Sequence, residues 1–391
     1  MKKAKSEGKA LSRYETFRLG NARHHEFRVL VKEIEKVLGA GSIKTTDRVR
    51  FADGSLGAMG IQDEFVKQLT VMNLEMGLKF LEALKEENVI KNSKFLMNMV
   101  EALGEQVIPE LDMVAEAKKT LLGAKLLSKV AADLGSELGE WTLEVPKPLP
   151  GKPLTENLAF YKLATGVTYD KLSPEEQEAV GPIIAKAKLK MFFQYGWFNP
   201  DCHHGNIMVD VEKKIIYFID WGQLEDFSKS INPMVLDPRV IVGQFIKAVT
   251  EFDAPNVIYY AHLMARIGGD HLINEQQLEK GLRKIFAAAK ALPKDQFNLK
   301  DLLVDVITEI SENDLKFETR YIFGGLKGLM ILFGEKYVSN AEFEKIMRQE
   351  LKSLFIMKSP ALILEKVKSW TNPKQPGGNR CEQALTSGKK K

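Results

Sequence analysis

Apolar residues recur at helical spacing along most of the chain. The segment HHEFRVLVKEIEKVLG (24–39) carries them three or four positions apart and ends on a glycine, which predicts a helix. Apolar stripes at i, i+3, i+4 and i+7 also run through residues 63–138 and through most of 237–358. The pattern therefore predicts a protein dominated by helices.

Two regions depart from this pattern and predict strands. In DRVRFADGSLGAMGIQ (47–62) an Asp-Gly turn signal separates two short apolar runs. Further on, NIMVDV (206–211) and KKIIYFIDWG (213–222) flank a charged turn. Between these regions, residues 141–166 are rich in proline and then extended, which is typical of a connector and a strand between two lobes. The predicted fold class is α+β.

Composition narrows the classes of protein that fit. A chain of 391 residues is long enough for two lobes, and its net charge of +4 comes without a basic stripe interleaved with aromatics, so no nucleic-acid partner is expected. The two cysteines, Cys202 and Cys381, lie far apart, which argues against a disulfide framework and favours a reducing compartment. Residues 1–35 hold no uninterrupted apolar run, so no signal peptide is expected. The most apolar stretch (321–334) is short and carries Lys327, which predicts a buried helix and no transmembrane segment.

One loop concentrates the candidate chemistry. Residues 196–210, GWFNPDCHHGNIMVD, contain Asp201, Cys202, His203 and His204 in succession. A zinc site would need nitrogen and sulfur ligands in a tetrahedron, and adjacent side chains rarely point at one centre. An ordinary polar loop is a second interpretation. A third interpretation depends on spacing.

The spacing of three oxygen-bearing side chains predicts a kinase-like active site. Asp201 is followed five residues later by Asn206, and a predicted hairpin then leads to Asp220. This is the order of a catalytic-loop Asp, its Asn and a metal-binding Asp in kinases. The first Asp can accept a proton from the attacking hydroxyl or orient it. The amide and the second carboxylate are hard oxygen ligands for Mg²⁺. We favour this interpretation over the other two.

On these motifs the sequence resembles the UbiB/ADCK family of atypical protein-kinase-like proteins. The family's loop F-x-x-D-x-H-P-G-N stands here with Phe198 first and Asn206 last, and FIDWGQ (218–223) matches its metal-Asp motif. Within the loop, His203 is a family residue, whereas Cys202 and His204, the latter at the usual proline, are interpreted as variable fillers. The resemblance extends over roughly residues 38 to 355.

Upstream motifs carry the resemblance into the first lobe. ELDMVAEA (110–117) matches the family's helix αC region, which implies that Glu110 and Asp112 are a family-specific pair and Glu116 the αC glutamate. GAGSI (39–43) resembles the nucleotide loop, which implies that Gly41 and Ser42 contact the nucleotide.

The sequence departs from the family at the lysine that anchors nucleotide phosphates. GAMGIQ (57–62) resembles the family's third strand V-A-V-K-V-Q, so Gly60 stands where the lysine is expected. Lys44 and Lys67 are the candidates considered as substitutes. The family's K-x-G-Q motif has only an echo, in RLGN (18–21), and the segment after it is short.

The resemblance implies a two-lobed protein-kinase-like fold with a reduced or degenerate N-lobe. The predicted parts are a flexible N-terminal lead (1–25), an N-lobe (26–150), a C-lobe (151–360) and a disordered C-terminal tail (361–391).

The implied cofactors are ATP and Mg²⁺, bound between the lobes. Asp201 would be the catalytic residue, and Asn206 and Asp220 the metal ligands. The backbone near Tyr161 and Leu163 would face adenine. The resemblance further implies ATPase or atypical kinase activity in quinone or isoprenoid-lipid metabolism, with lipid or peripheral membrane contact, inside the cell and in a mitochondrion or plastid.

Two other functions remain open at this point. A pseudokinase acting as a scaffold is supported by Gly60. A small-molecule phosphotransferase of the aminoglycoside or choline kinase type shares a similar loop and the IDWG motif.

Overall fold

A computed structural model describes residues 30–358 of the chain. Short gaps fall at 41–43, 63–64, 88, 90–95, 98–99, 102–103, 105–106, 109–110, 202, 229–236, 266–273, 294–295, 314, 316, 318–320, 322–324, 327 and 336. The predicted lead and tail, the RLGN echo, Gly41, Ser42, Cys202 and Glu110 therefore lie outside the described residues.

The described strands and helices follow one another along both lobes. The strands are β1 Val31–Ala40, β2 Lys44–Phe51, β3 Leu56–Gln62, β4 Thr142–Glu144, β5 Leu158–Tyr161, β6 Val167–Thr168, β7 Trp197–Phe198, β8 Ile207–Asp210, β9 Ile215–Phe218 and β10 Glu225–Asp226. The helices are α1 Val66–Glu86, α2 Met113–Leu134, α3 Pro174–Lys190, α4 Pro238–Thr250, α5 Ala254–Met264, α6 Glu275–Ala291, α7 Leu299–Glu312, α8 Gly328–Gly334 and α9 Asn340–Lys358.

The first sheet has the order β1-β2-β3-β5, with every described pair antiparallel. The predicted strand–turn–strand at 47–62 is confirmed as β2 and β3, and the extended segment before residue 166 contains β5. The small hydrophobic core of this first sheet includes Phe51, Met59 and Phe160. This four-stranded sheet does not confirm a reduced or degenerate N-lobe.

The helix predicted over 24–39 is wrong from residue 31 onward, where the chain forms β1. Three register shifts interrupt its pairing with β2, each with one extra residue on β1. A bulge of this kind moves the following side chains to the opposite face. Val31 and Ile34, three residues apart, can therefore both contact the sheet's core, which imitates helical spacing in the sequence.

The second sheet has the order β4-β9-β8-β6 and holds the predicted second pair of strands. β8 and β9 form an antiparallel hairpin, and β4 runs parallel to β9. The chain changes sheets around residue 150, because β4 belongs to the second sheet and β5 to the first.

Helices dominate the remainder, as predicted for 237–358. The largest hydrophobic core is built mainly from α3, α4 and α7 with the β8–β9 hairpin. α3 begins at a capping box in which Ser173 and Glu176 bond each other's backbone N–H groups. In the part of the chain that the structure describes, no helix is long and apolar enough to cross a membrane.

Candidate active site

The loop between β7 and β8 brings two of the predicted site residues together. The Asn206 side-chain amide donates hydrogen bonds to the Asp201 backbone carbonyl (2.9 Å) and to Asp201 Oδ2 (2.8 Å). Both amide protons are thereby directed at Asp201, so the amide oxygen of Asn206 is the atom left for a metal ion. The five-residue spacing corresponds to a direct contact.

Asp220, the third predicted residue, follows β9 in an uncommon backbone conformation. Its φ is +57°, in the left-handed region that non-glycine residues seldom adopt. Its side chain is 38% exposed, so its carboxylate remains accessible to a ligand. The residue before it, Ile219, donates its backbone N–H to the Asn206 carbonyl (3.0 Å), which links the backbone at Asp220 to the Asp201–Asn206 loop.

Asn199 joins the loop to the metal-Asp motif, and sequence reasoning missed it. Its side-chain amide donates to the backbone carbonyl of Asp220 (2.6 Å). Its side-chain oxygen accepts from the Asp201 backbone N–H (3.2 Å). An Asn side chain that bonds the backbone two residues further on is a common turn signal, and the Asp201 contact is of that local type. The contact with Asp220, 21 residues away, has no sequence signal.

Helix α2 is docked directly on the metal-Asp motif. The helix begins at Asp112, whose carboxylate accepts from the backbone N–H groups of Val114 (2.8 Å) and Ala115 (3.2 Å). Two turns after this cap, Lys119 donates to the Gly222 carbonyl (2.6 Å). Asp112, half of the predicted family-specific pair, thus has a visible role as the helix cap.

Glu116 on α2, the predicted αC glutamate, is a buried carboxylate that contacts Lys44 and Tyr161. Its side chain is buried, and Oε1 accepts from Lys44 Nζ (2.8 Å) and from the Tyr161 hydroxyl (3.2 Å). Burial raises the pKa of the Glu116 carboxyl, and Lys44 opposes that shift. Glu116 is therefore a buried carboxylate with two side-chain donors.

Lys44 connects Glu116 to the metal-Asp motif. Its Nζ lies 3.4 Å from Asp220 Oδ2, and its side chain is 19% exposed. Burial lowers the pKa of the Lys44 ammonium, but the Asp220 and Glu116 carboxylates outweigh burial and raise that pKa above its ordinary value. From the sequence, Lys44 was a candidate to replace the lysine missing at Gly60, with no evidence that its side chain reaches Glu116. The other candidate, Lys67, is exposed on α1.

The two residues expected to face adenine differ in their surroundings. The Tyr161 side chain turns toward α2, where its hydroxyl donates to Glu116, and burial raises the pKa of that hydroxyl. Leu163 is half-buried in the segment that follows, next to Lys162, whose backbone N–H donates to the Lys147 carbonyl (2.8 Å). The adenine contact stays a prediction for both.

The two histidines of the loop point in different directions. His203 Nδ1 accepts from the Gly205 backbone N–H (3.0 Å). The His204 ring instead packs between the rings of Tyr169 and Tyr337, with centroids 4.5 and 4.8 Å away, and its Nδ1 lies 3.0 Å from Glu335. His204 is thus a packed part of the loop and not a filler.

Among the described residues of the loop, the two histidines do not converge on one centre. Within the described residues, no group of three or more His, Cys, Asp or Glu side chains could hold a metal ion by itself. A site of a different kind, which suits Mg²⁺, is one in which few protein oxygens bind the ion and phosphate oxygens complete its coordination.

Together these features define the class of protein. A small antiparallel sheet, a helix with a buried glutamate, an Asp–Asn loop and an Asp after a hairpin form a protein-kinase-like fold and site. A family model for the ABC1 atypical kinase-like domain matches residues 20–238, more than half of the chain. The chain therefore belongs to the ABC1 atypical kinase-like family.

Two solved structures are similar to this chain at low identity. The complex of Rv3197 with erythromycin from Mycobacterium tuberculosis is 13% identical over 78% of this chain and 80% of that chain, with a TM-score of 0.45. The Rio2 kinase–ADP/Mg²⁺–phosphoaspartate complex from Chaetomium thermophilum is 14% identical over 74% of each chain, with a TM-score of 0.31. No curated protein matches the chain. The family assignment rests on the sequence match.

Proposed function

We propose that this protein binds Mg²⁺–ATP between its lobes and acts as a UbiB/ADCK-like atypical kinase or ATPase. The observation that carries the proposal is the arrangement of Asp201, Asn206 and Asp220 beside the Lys44–Glu116 ion pair. Kinase-like proteins use these two sets of groups on either side of the nucleotide phosphates.

The residues present fit a magnesium ion. Mg²⁺ prefers hard oxygen ligands and is usually held by one or two carboxylates together with substrate phosphates. Asn206 would supply its amide oxygen and Asp220 its accessible carboxylate. The one ammonium of Lys44 faces the two carboxylates of Glu116 and Asp220, so this group has an excess of negative charge that favours a cation. When bound, Mg²⁺ would neutralise charge on the phosphates.

We assign to Asp201 the role of acting on the group that attacks the terminal phosphate. The bond from Asn206 fixes one of its carboxylate oxygens, and the Asn199 bond to its backbone N–H fixes the main chain. A carboxylate held in this way can orient a hydroxyl or a water molecule and accept its proton. The step supported by the geometry is therefore phosphoryl transfer or ATP hydrolysis.

The substrate class rests on the resemblance to UbiB/ADCK proteins. We infer a role in quinone or isoprenoid-lipid metabolism, with peripheral lipid contact and a location in a mitochondrion or plastid. The motifs that support this role are the D-x-H-x-G-N loop, the FIDWGQ segment and ELDMVAEA.

Nucleotide binding is tested by thermal unfolding with and without Mg²⁺–ATP. The intact protein should melt several degrees higher with saturating ligand, since a ligand that binds only the native state stabilises it. Asp220→Ala should abolish the increase. Glu279→Ala, which removes an exposed carboxylate paired with Arg283 on α6, should retain it. Absence of any Mg²⁺–ATP shift in the intact protein would sink the proposal.

Turnover distinguishes an enzyme from a pseudokinase scaffold. ATP hydrolysis or transfer should be measurable in the intact protein and lost in Asp201→Asn. Binding without turnover under all conditions would favour the scaffold and contradict the enzymatic part of the proposal.

A further inference from the structure

The side chain absent at Gly60 has a neighbour on the adjoining strand that points the same way. Gly60 on β3 is paired directly with Thr46 on β2, and directly paired residues of antiparallel strands share one face of the sheet. Lys44 precedes Thr46 by two residues, so it lies on that face as well. The register of β2 and β3 thus gives Lys44 access to the side of the sheet that faces α2.

The space beside Gly60 is occupied by other side chains. A Cβ at this position would lie 2.7 Å from Met113 Cε, 3.7 Å from the Tyr161 ring and 3.8 Å from Lys44 Cδ. A side chain extending from residue 60 would run into Met113 and along the path of Lys44. Glycine at 60 leaves that path open.

Lys44 ends at the point where a phosphate-anchoring lysine is needed. Its ammonium bonds Glu116 and lies within ion-pair distance of Asp220, the proposed metal ligand. An ammonium has three donor protons, so it can keep the bond to Glu116 and still donate to phosphate oxygens.

We propose that Lys44, reaching in from β2, is the residue that contacts the nucleotide phosphates in this protein, with Gly60 on β3 leaving the room it needs. The inference rests on the proposed binding of Mg²⁺–ATP. With nucleotide bound, Lys44 would donate to the phosphates while keeping its ion pair with Glu116, and the Asp220 carboxylate would be left for Mg²⁺. In this protein the phosphate-binding ammonium would therefore come from β2, whereas the family resemblance expects it on β3.

Two other lysines, Lys119 and Lys162, have partners elsewhere in the described structure. Lys119 donates to the Gly222 carbonyl (2.6 Å), and Lys162 pairs with Glu144 (2.8 Å). Lys67, the second candidate from the sequence, is exposed on α1. Lys44 is the residue among these four whose ammonium bonds Glu116.

The decisive measurement compares ATP with adenosine by calorimetry. Lys44→Met keeps the aliphatic stem and removes the charge, so the Kd for Mg²⁺–ATP should rise roughly 10- to 100-fold. The Kd for adenosine, which has no phosphate, should be unchanged, and a merely structural role would weaken both ligands together. Lys67→Met is the matched control and should leave both constants unchanged.

A transfer of the lysine back to β3 tests the exchange of strands. Met113 meets residue 60 with its flexible end, so it can move aside for a new side chain. The double variant Lys44→Met with Gly60→Lys should bind Mg²⁺–ATP more tightly than Lys44→Met alone, with a Kd close to that of the intact protein. A folded double variant that recovers nothing would contradict the exchange.

The outcomes for Lys44 and for the proposed function are separable. If the intact protein binds Mg²⁺–ATP and folded Lys44→Met binds it within twofold as tightly, the role of Lys44 is overturned and the proposed function stands. If the intact protein does not bind, the proposed function fails first. Should Lys44→Met not fold because Glu116 is left unpaired, Lys44→Met with Glu116→Gln removes both charges and takes its place in the same assay.

Discussion

Gly123 on α2 lies directly against the indole ring of Trp221 in the metal-Asp motif. A Cβ at position 123 would lie 2.3 Å from Trp221 Cε3, and the ring is buried with its Nε1 donating to the Phe218 carbonyl (2.9 Å). A rigid, bonded ring cannot give way easily. The absence of a side chain at Gly123 therefore lets α2 approach Asp220.

Gly123→Ala should weaken both the fold and the site. The added methyl group must push α2 away from Trp221, which overpacks the contact and should lower the free energy of unfolding by about 1–3 kcal/mol. ATP turnover should fall up to about 100-fold, because Glu116 moves with the helix. Urea unfolding and a turnover assay measure the two effects.

A glycine in open space provides the control for this substitution. A Cβ added at Gly77 on α1 would have no heavy atom within 4 Å. Gly77→Ala should stabilise the protein by up to about 1 kcal/mol, through helix propensity alone, and leave turnover unchanged. An equal loss of turnover in both variants would contradict the role assigned to Gly123.

Removing the link that Asn199 makes between the Asp201 loop and Asp220 should reduce both stability and activity. Asn199→Ala loses the bond to the Asp220 carbonyl and the bond from the Asp201 N–H, so the free energy of unfolding should fall by about 1–3 kcal/mol. Turnover should fall by about tenfold or more, since both site residues lose a support. Exposed Asn256, bonded to Asp253 on the surface, is the control, and Asn256→Ala should leave turnover unchanged.

The acid stability of the second sheet should depend on Asp210. Bonds from Lys213 and then Thr165 lower the pKa of the Asp210 carboxyl from 3.8 to about 2. The native state thus binds the proton more weakly than the unfolded chain does. The resulting stability is complete above pH 4 and is lost as the pH falls toward 2.

Urea unfolding between pH 5 and pH 2 checks this dependence. The free energy of unfolding should fall more steeply for the intact protein than for Asp210→Asn, which has no titrating group there. The difference should shrink in high salt, because the Lys213 side chain is 58% exposed. Parallel curves for the two proteins would refute the assignment to Asp210.

Tyr161→Phe should remove the hydroxyl's bond to Glu116 and leave the predicted contact between the Tyr161 backbone and adenine unchanged. Loss of the hydroxyl removes one of the two bonds to Glu116 and should lower the free energy of unfolding by about 1 kcal/mol. The backbone is unaltered, so the Kd for adenosine should stay the same. A large loss of adenosine affinity would show that the side chain itself contacts the base. Tyr259→Phe, at a half-exposed position on α5, is the control.

The parts of the site that the sequence predicts are those in which spacing limits geometry. The four loop residues between Asp201 and Asn206, and a hairpin before Asp220, limit how far apart these three residues can lie. Glu116 and Lys44 are 72 residues apart. Their pairing depends on the β2–β3 register and on the docking of α2, and short-range sequence spacing determines neither. The sequence therefore indicated a missing lysine and two candidate substitutes, Lys44 and Lys67, without deciding between them.

Local patterns also failed where the chain departs from regular geometry or packs at long range. β1 resembles a helix in sequence because its bulges allow apolar residues three apart to share a face. His204 could not be assigned from the loop alone, because its partners Tyr169, Glu335 and Tyr337 come from other parts of the chain.

The bulges of β1 also bear on the behaviour of the protein in concentrated solution. Among the described strands, β1 is an outer strand of its sheet, and a regular outer strand of ten residues offers unpaired N–H and C=O groups to other chains. Three irregularities and the charged residues Lys32, Glu33, Glu35 and Lys36 make β1 a poor template for such pairing. The same irregularity that makes β1 resemble a helix in sequence would also disfavour pairing of this strand with a strand of another chain.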